Sequence, residues 1–510
     1  MSAGAASGVV DGNSTTTTTP TPPASSLRGR VAASPQYRRW LLVSVLFGLF
    51  TVNFTITIFN VALVRISHEM HTTATTLTWA ITGPLLVVGV SAPALGKLGD
   101  LRGHRKLYLG GLYGAIVGAA LTVVAWNAGS LIGARLIAAV ETACLTASSW
   151  SLLFRVFAPG ERTKVLGWWS LVAAGGPVIG VAIGGPVTDA FGWRWIFVAQ
   201  VPLVGAALIA NHVVLSETPR SLGRRLDVPG AVTLALTVGS LLFALNRSTI
   251  DGWTSPPVLI SGLLCPAALM AFVVFERRSA APLFPLEWLS RRNFVLPCVA
   301  SFGMSFAYMG GFFLTPLFLE RGFGYGVGET GVLQIARPLV FAVAAPVAGY
   351  LATRTGERSA VVTGSMLMGV SMVMFSLLDK GSGIWPIMIA LGISGLAMGV
   401  AGPAVAASVA NAVEVEHMGA GSAGLQVANQ VGQVAGIQVM ETVQAAREHT
   451  AGIVGSFQNA YWAGGLGTVV AVIAALGVRN YRRRLVSETT SAADADADDR
   501  SELSSSSNRR

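Results

Sequence analysis

Apolar runs of about 18–25 residues recur from Trp40 almost to the end of the chain, and this length crosses the hydrocarbon core of a bilayer as a helix. The runs lack the in-out alternation of barrel strands, and lipid offers backbone groups no other hydrogen-bond partners. Because 52% of the 510 residues are hydrophobic and only 12% are charged, a water-soluble core cannot hold this apolar surface. The sequence therefore predicts an all-α integral membrane protein.

The apolar runs predict fourteen membrane-spanning helices. The flanking segments 1–39 and 479–510 have the composition of disordered tails, since they are rich in small and polar residues. The predicted spans lie near residues 40–64, 77–95, 107–125, 131–156, 165–187, 196–215, 228–245, 258–275, 294–318, 331–351, 360–378, 384–409, 420–443 and 460–478.

Basic residues collect in the loops on one side of these spans. Arg and Lys are enriched on the cytoplasmic side of membrane proteins, so we predict that both termini are cytoplasmic. The net charge of +10 is explained by this topology, and we expect no nucleic-acid partner. The basic clusters are Arg28, Arg30, Arg38 and Arg39; Lys97, Arg102, Arg105 and Lys106; Arg155, Arg162 and Lys164; Arg220, Arg224 and Arg225; Arg277, Arg278, Arg291 and Arg292; Arg354 and Arg358; Arg479, Arg482, Arg483 and Arg484.

An internal repeat divides the chain into two similar halves. The segment 96–105 after the second span resembles the segment 349–358 after the tenth, with Gly, Leu, Gly and Arg at matching steps. The same offset carries four further spans of the first half onto spans of the second. We therefore predict six-helix bundles at 40–215 and 293–478, and a linker with two inserted helices at 216–292, which is a transporter architecture.

The first copy of the repeated loop contains Gly96, Asp100, Gly103 and Arg105. The glycines tolerate close packing or unusual backbone angles, and Asp100 is expected near Arg102 and Arg105 at a helix end. One interpretation is a gate that breaks as the halves rock. The alternative is a simple topology determinant.

The fifth predicted span carries a stripe of glycines. Gly176, Gly180 and Gly184, followed by Gly185, recur about every four residues and form a smooth surface that another helix can approach closely. Packing alone is sufficient to explain such a stripe.

These segments resemble the major facilitator superfamily. The loop 96–106 is similar to the family's loop between helices two and three, the fifth span resembles the helix that marks its antiporters, and Leu226 to Gly230 with Gly252-Trp253 resemble its fourteen-helix drug:proton antiporter branch of bacterial multidrug efflux type. The resemblance implies two six-helix bundles plus two inserted helices. It also implies export of drugs, antibiotics or toxic metabolites by proton antiport across the bacterial inner membrane. Val181 departs from the family pattern, which often has Pro there.

Proton coupling requires an ionisable group inside the membrane, where such groups are rare. Glu141, near the middle of the fourth span, is the main candidate, and its alternative role is a neutral acid hydrogen-bonded between helices. Arg135 matches the family's fourth-helix arginine. It lies about 120° around the helix from Glu141, so the two are not automatic partners.

Polar residues in the first and thirteenth spans are candidates for the substrate cavity. The first span contains Asn53, Thr55 and Asn60, and Thr55 stands where the resembling branch usually has an acid. Either another residue couples protons or the driving force differs. In the thirteenth span a polar arc of about 100° could line a cavity or make interhelical contacts. Arg337 could snorkel to the interface or bind an anionic substrate group. The arc consists of Gln426, Asn429, Gln430 and Gln433.

No nucleotide-binding, nucleophile or metal-ligand motif is apparent, and the three cysteines lie inside apolar runs. We therefore expect neither an enzyme nor a cofactor, and no catalytic or metal site. The expected partners are a small-molecule substrate, protons and the lipid bilayer, and we expect a monomer. Two alternatives remain open: a dedicated exporter of one endogenous metabolite or antibiotic, and an uncoupled facilitator or importer.

Overall fold

The computed structural model describes residues 27–55, 66, 69–72, 74–218, 227–252, 254–279, 286–414 and 417–480. The outer parts of both predicted tails, Asn60 and most of the loop before the seventh span lie outside these ranges. The described helices are α1 Leu27–Ala32, α2 Tyr37–Asn53, α3 Ala74–Arg102, α4 His104–Val123, α5 Ala128–Phe154, α6 Arg162–Phe191, α7 Arg194–Val214, α8 Val228–Asp251, α9 Pro256–Arg278, α10 Arg292–Leu317, α11 Val327–Gln334, α12 Ala336–Thr355, α13 Glu357–Ser376, α14 Ile384–Ala412 and α15 Met418–Leu476.

These helices match the predicted spans in order and position. Ten helical segments in the described ranges are long and apolar enough to cross a membrane. The short helix α1 lies within the segment 1–39 that the composition marks as a tail, and α2 begins at Tyr37, slightly before the predicted start at Trp40. The predicted end of the first span, up to residue 64, continues into residues that the structure does not describe.

Two glycines of the repeated loops occupy equivalent backbone positions. Gly103 separates α3 from α4 with φ of 100°, and Gly356 separates α12 from α13 with φ of 94°. A side chain is strained at these angles, so glycine permits the sharp reversal between the paired helices. The repeat seen in the sequence therefore has a physical cause at this position.

Three predicted spans correspond to helical segments with internal breaks. The tenth is built from α11 and α12, which meet just before Arg337 and Pro338, where proline removes a backbone donor. The thirteenth and fourteenth lie within α15, a 59-residue helical segment interrupted at Gly452, whose φ is 70°. Glycine allows the chain to reverse direction there without a long loop.

The helices pack as two bundles. In the N-terminal half, α2–α7, helix α5 packs against α3 and α4, and α7 packs against α2 and α4. In the C-terminal half, α10–α15, helix α15 packs against α10 and α13, and α14 packs against α12 and α13. The halves meet along two seams, α3 with α15 and α6 with α12 and α14. Any space between the halves therefore lies between these seams.

The inserted helices α8 and α9 form a hairpin at the edge of the first seam. Helix α8 packs against both α3 and α15, whereas the described partner of α9 is mainly α8. Large apolar side chains of α9, such as Leu263 and Met270, are more than 70% exposed in the protein alone. Such a surface is suited to contact with lipid.

Candidate functional site

The first seam closes at one end of the bundle through a backbone contact. Gly96 on α3 lies against the carbonyl group of Gly419 at the start of α15, so closely that a side chain at either position would overlap the other helix. Asp100 Oδ1 accepts a hydrogen bond from the backbone N–H of Gly419 at 3.3 Å and lies 2.8 Å from His104 Nε2. A carboxylate at a helix N-terminus is favourable for both hydrogen bonding and the helix dipole.

The partners of Asp100 differ from the sequence expectation. Asp100 pairs with His104 rather than with Arg105. Arg105 Nε instead donates to the backbone oxygen of Leu215 at 2.8 Å, and its guanidinium lies 3.6 Å from Glu217, both at the end of α7. The spacing of four residues between Asp100 and His104 was the signal that sequence reasoning missed.

The second seam closes at the same end of the bundle. A Cβ atom on Gly167 of α6 would lie 2.7 Å from the carbonyl oxygen of Ala345 on α12. A Cβ atom on Gly349 of α12 would lie 2.7 Å from the carbonyl oxygen of Thr163. Since Gly349 is the repeat equivalent of Gly96, the two copies of the motif bring a glycine to each seam.

Polar groups also join the halves at the second seam. Arg162 at the start of α6 donates from Nη1 to the backbone oxygen of Ala410 at 2.8 Å and to Asn411 Oδ1 at 2.9 Å. Asn411 Nδ2 in turn donates to Glu357 Oε1 at 2.8 Å. The offset that carries Gly96 onto Gly349 carries His104 onto Glu357, but sequence reasoning did not single out Arg162, Asn411 or Glu357 as gate residues.

A small cavity lies between the halves beside the first seam. Its walls come from α3, α5 and α15, so it contacts both halves. Three of its lining residues are polar and none is charged. The lining residues are Val88, Ala92, Ala143, Thr146, Ala147, Ser422, Ala423 and Gln426.

The predicted polar arc of α15 divides between two environments. Gln426 lines the cavity, and Gln430 is 3% exposed and lies against Gly89 of α3. Asn429 faces the other way and accepts hydrogen bonds from Ser301 and Ser305 of α10 within the C-terminal half.

The fourth residue of the arc, Gln433, is half-buried. The close fit of Gly432 against the backbone of Phe302 places the neighbouring face of α15 against α10. Only Gln426 and Gln430 of the four are therefore placed by their contacts toward the N-terminal half.

Glu141 lies in the interface between α4 and α5. It is 6% exposed, its Oε2 has no hydrogen-bond partner among the described residues, and a Cβ atom on Gly118 of α4 would lie 3.1 Å from that oxygen. Arg135, also buried, interacts electrostatically with Glu141 despite the angular separation between them. The two proton-coupling candidates therefore interact electrostatically, but Glu141 does not line the cavity between the halves.

The substrate-cavity candidates of the first span, Asn53 and Thr55, donate hydrogen bonds to backbone oxygens three or four residues earlier. Thr55 Oγ1 donates to the backbone oxygen of Val52, and Asn53 Nδ2 donates to the backbone oxygen of Leu49. A Cβ atom on Gly176 of α6 would lie 3.1 Å from Asn53 Cβ, so this glycine brings α6 close to α2.

The remaining glycines of the α6 stripe are less defined. Gly180 is buried. Helix α6 runs through Gly184 and Gly185, but their surroundings lie outside the described residues.

Arg337 neither snorkels nor faces the cavity described above. Its side chain is fully buried in the C-terminal half, where Nη1 donates to the backbone oxygen of Tyr308 at 3.3 Å and Nη2 to Thr315 Oγ1 at 3.5 Å. The guanidinium carbon lies 5.5–5.9 Å from the ring centres of Tyr308, Phe312 and Phe375. These partners are uncharged, and cation–π contacts stabilise the cation in their place.

Comparison with known proteins agrees with this architecture. The sequence model of the Major Facilitator Superfamily matches residues 45–336 and 298–506. The tetracenomycin C resistance and export protein of Streptomyces glaucescens is 30% identical over 81% of this chain and 79% of its own length. The lincomycin resistance protein of Streptomyces lincolnensis is 29% identical over 90% of this chain and 95% of its own length. The multidrug resistance protein Stp of Mycobacterium tuberculosis is 26% identical over 79% of this chain and 75% of its own length.

A solved structure supports the fold. The crystal structure of the human organic anion transporter MFSD10 (TETRAN) superimposes with a TM-score of 0.63, covering 87% of this chain and 100% of that one, at 15% identity. At this identity the similarity concerns the fold alone. Two bundles joined at symmetric seams, the match of the family along most of the chain and relatives among resistance proteins agree, and the chain therefore belongs to the Major Facilitator Superfamily, a family of membrane transporters rather than enzymes.

Proposed function

We propose that this protein exports small organic compounds, such as drugs, antibiotics or toxic metabolites, by proton antiport. The observation that carries the proposal is the closure of both seams at one end of the bundle. Alternating access requires two halves that seal one end at a time around a central site. Glycine contacts and a few hydrogen bonds form a seal that can be made and broken without unfolding either half.

The direction of transport is supported by the relatives. The proteins from Streptomyces and Mycobacterium are named for resistance, and one of them also for export. An exporter must bind substrate from the cytoplasm or inner leaflet and release it outside. A closed basic end, which we predict to be cytoplasmic, corresponds to the stage of the cycle that releases substrate.

Proton coupling is assigned to Glu141. It is a buried carboxyl group with an oxygen that accepts no hydrogen bond within the part of the chain that the structure describes, and Arg135 is its electrostatic partner. A carboxyl group that exchanges its proton changes its interaction with a nearby arginine. Coupling of that change to the fit of α4 against α5 would transmit protonation to the bundle.

An uncoupled facilitator is the second candidate, and Thr55 favours it. A threonine stands where the resembling branch carries an acid, and its hydroxyl group is committed to the backbone of Val52. A dedicated exporter of one metabolite or antibiotic is a narrower form of the main proposal. A transport profile restricted to one compound class would identify it.

Purified protein in liposomes with an internal pH dye and an inward proton gradient tests these alternatives. Cationic and uncharged drugs are added to the wild type, to Glu141→Gln and to the control Glu441→Gln, which changes a half-buried carboxyl group on α15. Antiport through Glu141 predicts drug-induced proton flux in the wild type and the control but not in Glu141→Gln. Substrate equilibration without proton flux in the wild type would instead establish the facilitator.

A further inference from the structure

Two exposed cations at the basic end of the second seam share one tyrosine ring. Lys164 Nζ of α6 lies 5.7 Å from the centre of the Tyr350 ring on α12, and the guanidinium carbon of Arg354 lies 5.1 Å from the same centre. Arg354 Nη2 also donates a hydrogen bond to Tyr350 Oη at 2.8 Å. We call these three residues the Tyr350 cluster. Because Lys164 belongs to the N-terminal half and the other two to the C-terminal half, the cluster spans both halves.

The two cations of the Tyr350 cluster form no ion pair with any residue that the structure describes. Other basic residues nearby do have fixed partners. Arg38 pairs with Glu161, and Arg162 is bound to the end of α14. Two like charges held beside one ring repel each other, and an anion between them would replace this repulsion by attraction. The cluster therefore fits a ligand with a negatively charged group.

An exposed apolar face extends from the Tyr350 cluster along α12 into the predicted span. Val343, Val347 and Leu351 follow one another at intervals of four residues, so they lie on one side of the helix, and each is more than 50% exposed in the protein alone. We call these three residues the α12 face. On α6, Trp168 is 42% exposed and lies one turn from Lys164. An apolar surface that begins at a pair of cations matches a lipid, whose acyl chains continue from a charged headgroup.

We propose that the Tyr350 cluster and the α12 face bind an anionic phospholipid, with the phosphate group between Lys164 and Arg354 and an acyl chain along the α12 face. Basic side chains at helix ends reach the level of the headgroups and attract anionic lipids there. A soluble anion would leave the α12 face without a partner. Since the lipid contacts α6 and α12 together, it stabilises the closed basic end. The proposal goes beyond the transport function and depends neither on the substrate nor on Glu141.

Quenching of Trp168 fluorescence measures lipid at this site directly. The purified full-length chain is placed in phosphatidylcholine nanodiscs that contain the same small fraction of either brominated phosphatidylglycerol or brominated phosphatidylcholine, with bromine on the same acyl carbons near the headgroup. The Trp168 signal is the difference between each protein and its Trp168→Phe counterpart. We expect the site to prefer phosphatidylglycerol about tenfold, because two cations attract its net negative headgroup.

The variants Lys164→Gln and Arg354→Gln should each lower this preference several-fold, and the double variant should bring it to about one. The control is the double variant Arg277→Gln and Arg278→Gln, which removes the same charge from the exposed end of α9 and should keep the wild-type preference. Melting temperatures close to that of the wild type identify variants that remain folded.

Closure of the basic end provides a second readout. A maleimide that cannot cross the membrane should label Ala423→Cys from the basic end more slowly in nanodiscs that contain phosphatidylglycerol than in pure phosphatidylcholine, in a background without native cysteines. The difference should disappear when Lys164→Gln and Arg354→Gln are combined. Equal labelling rates in the two lipids would contradict a lipid that holds α6 and α12 together.

Equal quenching by the two brominated lipids would overturn the assignment. So would an equal loss of preference in the double variant and in the α9 control, because the cations would then act only as a diffuse positive surface. Displacement of the lipid by soluble glycerol phosphate would show that the anion alone is bound. A preference that appears only after deletion of residues 485–510 would make the acid-rich segment of the chain itself the ligand of the Tyr350 cluster.

Discussion

At the scale of single residues, two buried ionisable groups, Glu141 and Arg337, are each enclosed within one half. Glu141 lies against the glycines of α4, and Arg337 lies among aromatic rings contributed by α10 and α13. Charges in such surroundings are held by a few fixed partners. A change in protonation or packing within one half can then alter that half without direct contact with the substrate.

Gly96 is the residue at which a single methyl group should oppose closure. A side chain in Gly96→Ala would overlap the carbonyl group of Gly419, and neither backbone can move without displacing its helix. Overpacking of this kind costs about 1 kcal/mol or more, so we expect the closed state to be depopulated about fivefold. A maleimide that cannot cross the membrane should label Ala423→Cys from the basic end correspondingly faster, in a background without native cysteines.

Gly110→Ala is the matched control for this change. Gly110 lies on α4, and a Cβ atom there meets no other atom within 4 Å. Its labelling rate should equal that of the parent. Equal rates for Gly96→Ala and Gly110→Ala would show that the backbone contact of the first seam does not limit opening.

We expect Glu414, which lies outside the membrane, to make the stability of the fold slightly sensitive to acid. Burial alone would raise its pKa, but a hydrogen bond from its own backbone, a hydrogen bond from Arg291 at 2.8 Å and the nearby positive charge hold the pKa below its usual range. A carboxyl group with a lowered pKa stabilises the fold above its unfolded value of about 4.3, and this stabilisation is lost as pH falls through the folded pKa.

The variant Glu414→Gln should therefore melt slightly below the wild type at pH 7, and the difference should shrink as the pH falls through the folded pKa of Glu414 and its carboxyl group becomes neutral. Since the pair is partly exposed, the difference at pH 7 should be small. Thermal unfolding in detergent measures it. A difference that persists unchanged at about pH 3 would assign the effect to packing rather than to charge.

At the scale of helices, the two seams use different chemistry for the same purpose. The first joins a carboxylate of α3 to the N-terminus of α15, and the second joins an arginine of α6 to the C-terminal end of α14. Both arrangements match the partial charge of the helix end that they contact. The second copy of the loop carries Thr353 where the first carries Asp100, so a different pair of helices supplies the polar contact there.

If both seams stabilise the same closed conformation, substitutions in the two seams should multiply each other's shift of the equilibrium between closed and open states. Asp100→Asn removes a charge from the first seam, and Asn411→Ala removes the hydrogen bonds to Arg162 and Glu357 at the second. Hydrogen bonds to charged groups contribute about 1.5–3 kcal/mol each, so each variant should shift the equilibrium about tenfold toward the open basic end.

The double variant should show the product of the two shifts, because free energies of separate contacts add. Labelling of Ala423→Cys reports all three variants under one condition. A double variant no more open than the more open single variant would contradict a shared equilibrium, because the second contact would then contribute nothing further to closure.

At the scale of the whole molecule, the bundle is sealed at the end that carries the basic loops. We expect this end to be cytoplasmic, with both termini on the same side. Green fluorescent protein fused to the C-terminus should fluoresce, since it folds in the cytoplasm. Alkaline phosphatase fused in the loop between α4 and α5, near Asn127, should be active, since it requires the outside. The opposite pattern would reverse the orientation and, with it, the assignment of the closed stage.

The sequence by itself determined the class, the number and order of the spans and the internal repeat, and its motifs resembled those of the family. The class and the spans follow from local composition and periodicity, because a bilayer of fixed thickness imposes helices of nearly fixed length. Gly103 and Gly356 could also be recognised from the sequence, because a positive φ is a local requirement of a single residue and glycine meets it. The loop motif and the polar stretch of α15 were likewise visible without coordinates.

Only the tertiary structure decided which of these residues meet. It paired Asp100 with His104 and Gly419 rather than with Arg105, turned Asn429 away from Gln426 and Gln430, and buried Arg337 among rings. Such contacts join residues far apart in the chain and depend on how each helix is rotated about its axis. Side-chain packing between helices sets this rotation. Along its buried length a helix is surrounded by lipid, so no contrast between an apolar core and polar solvent orients its faces.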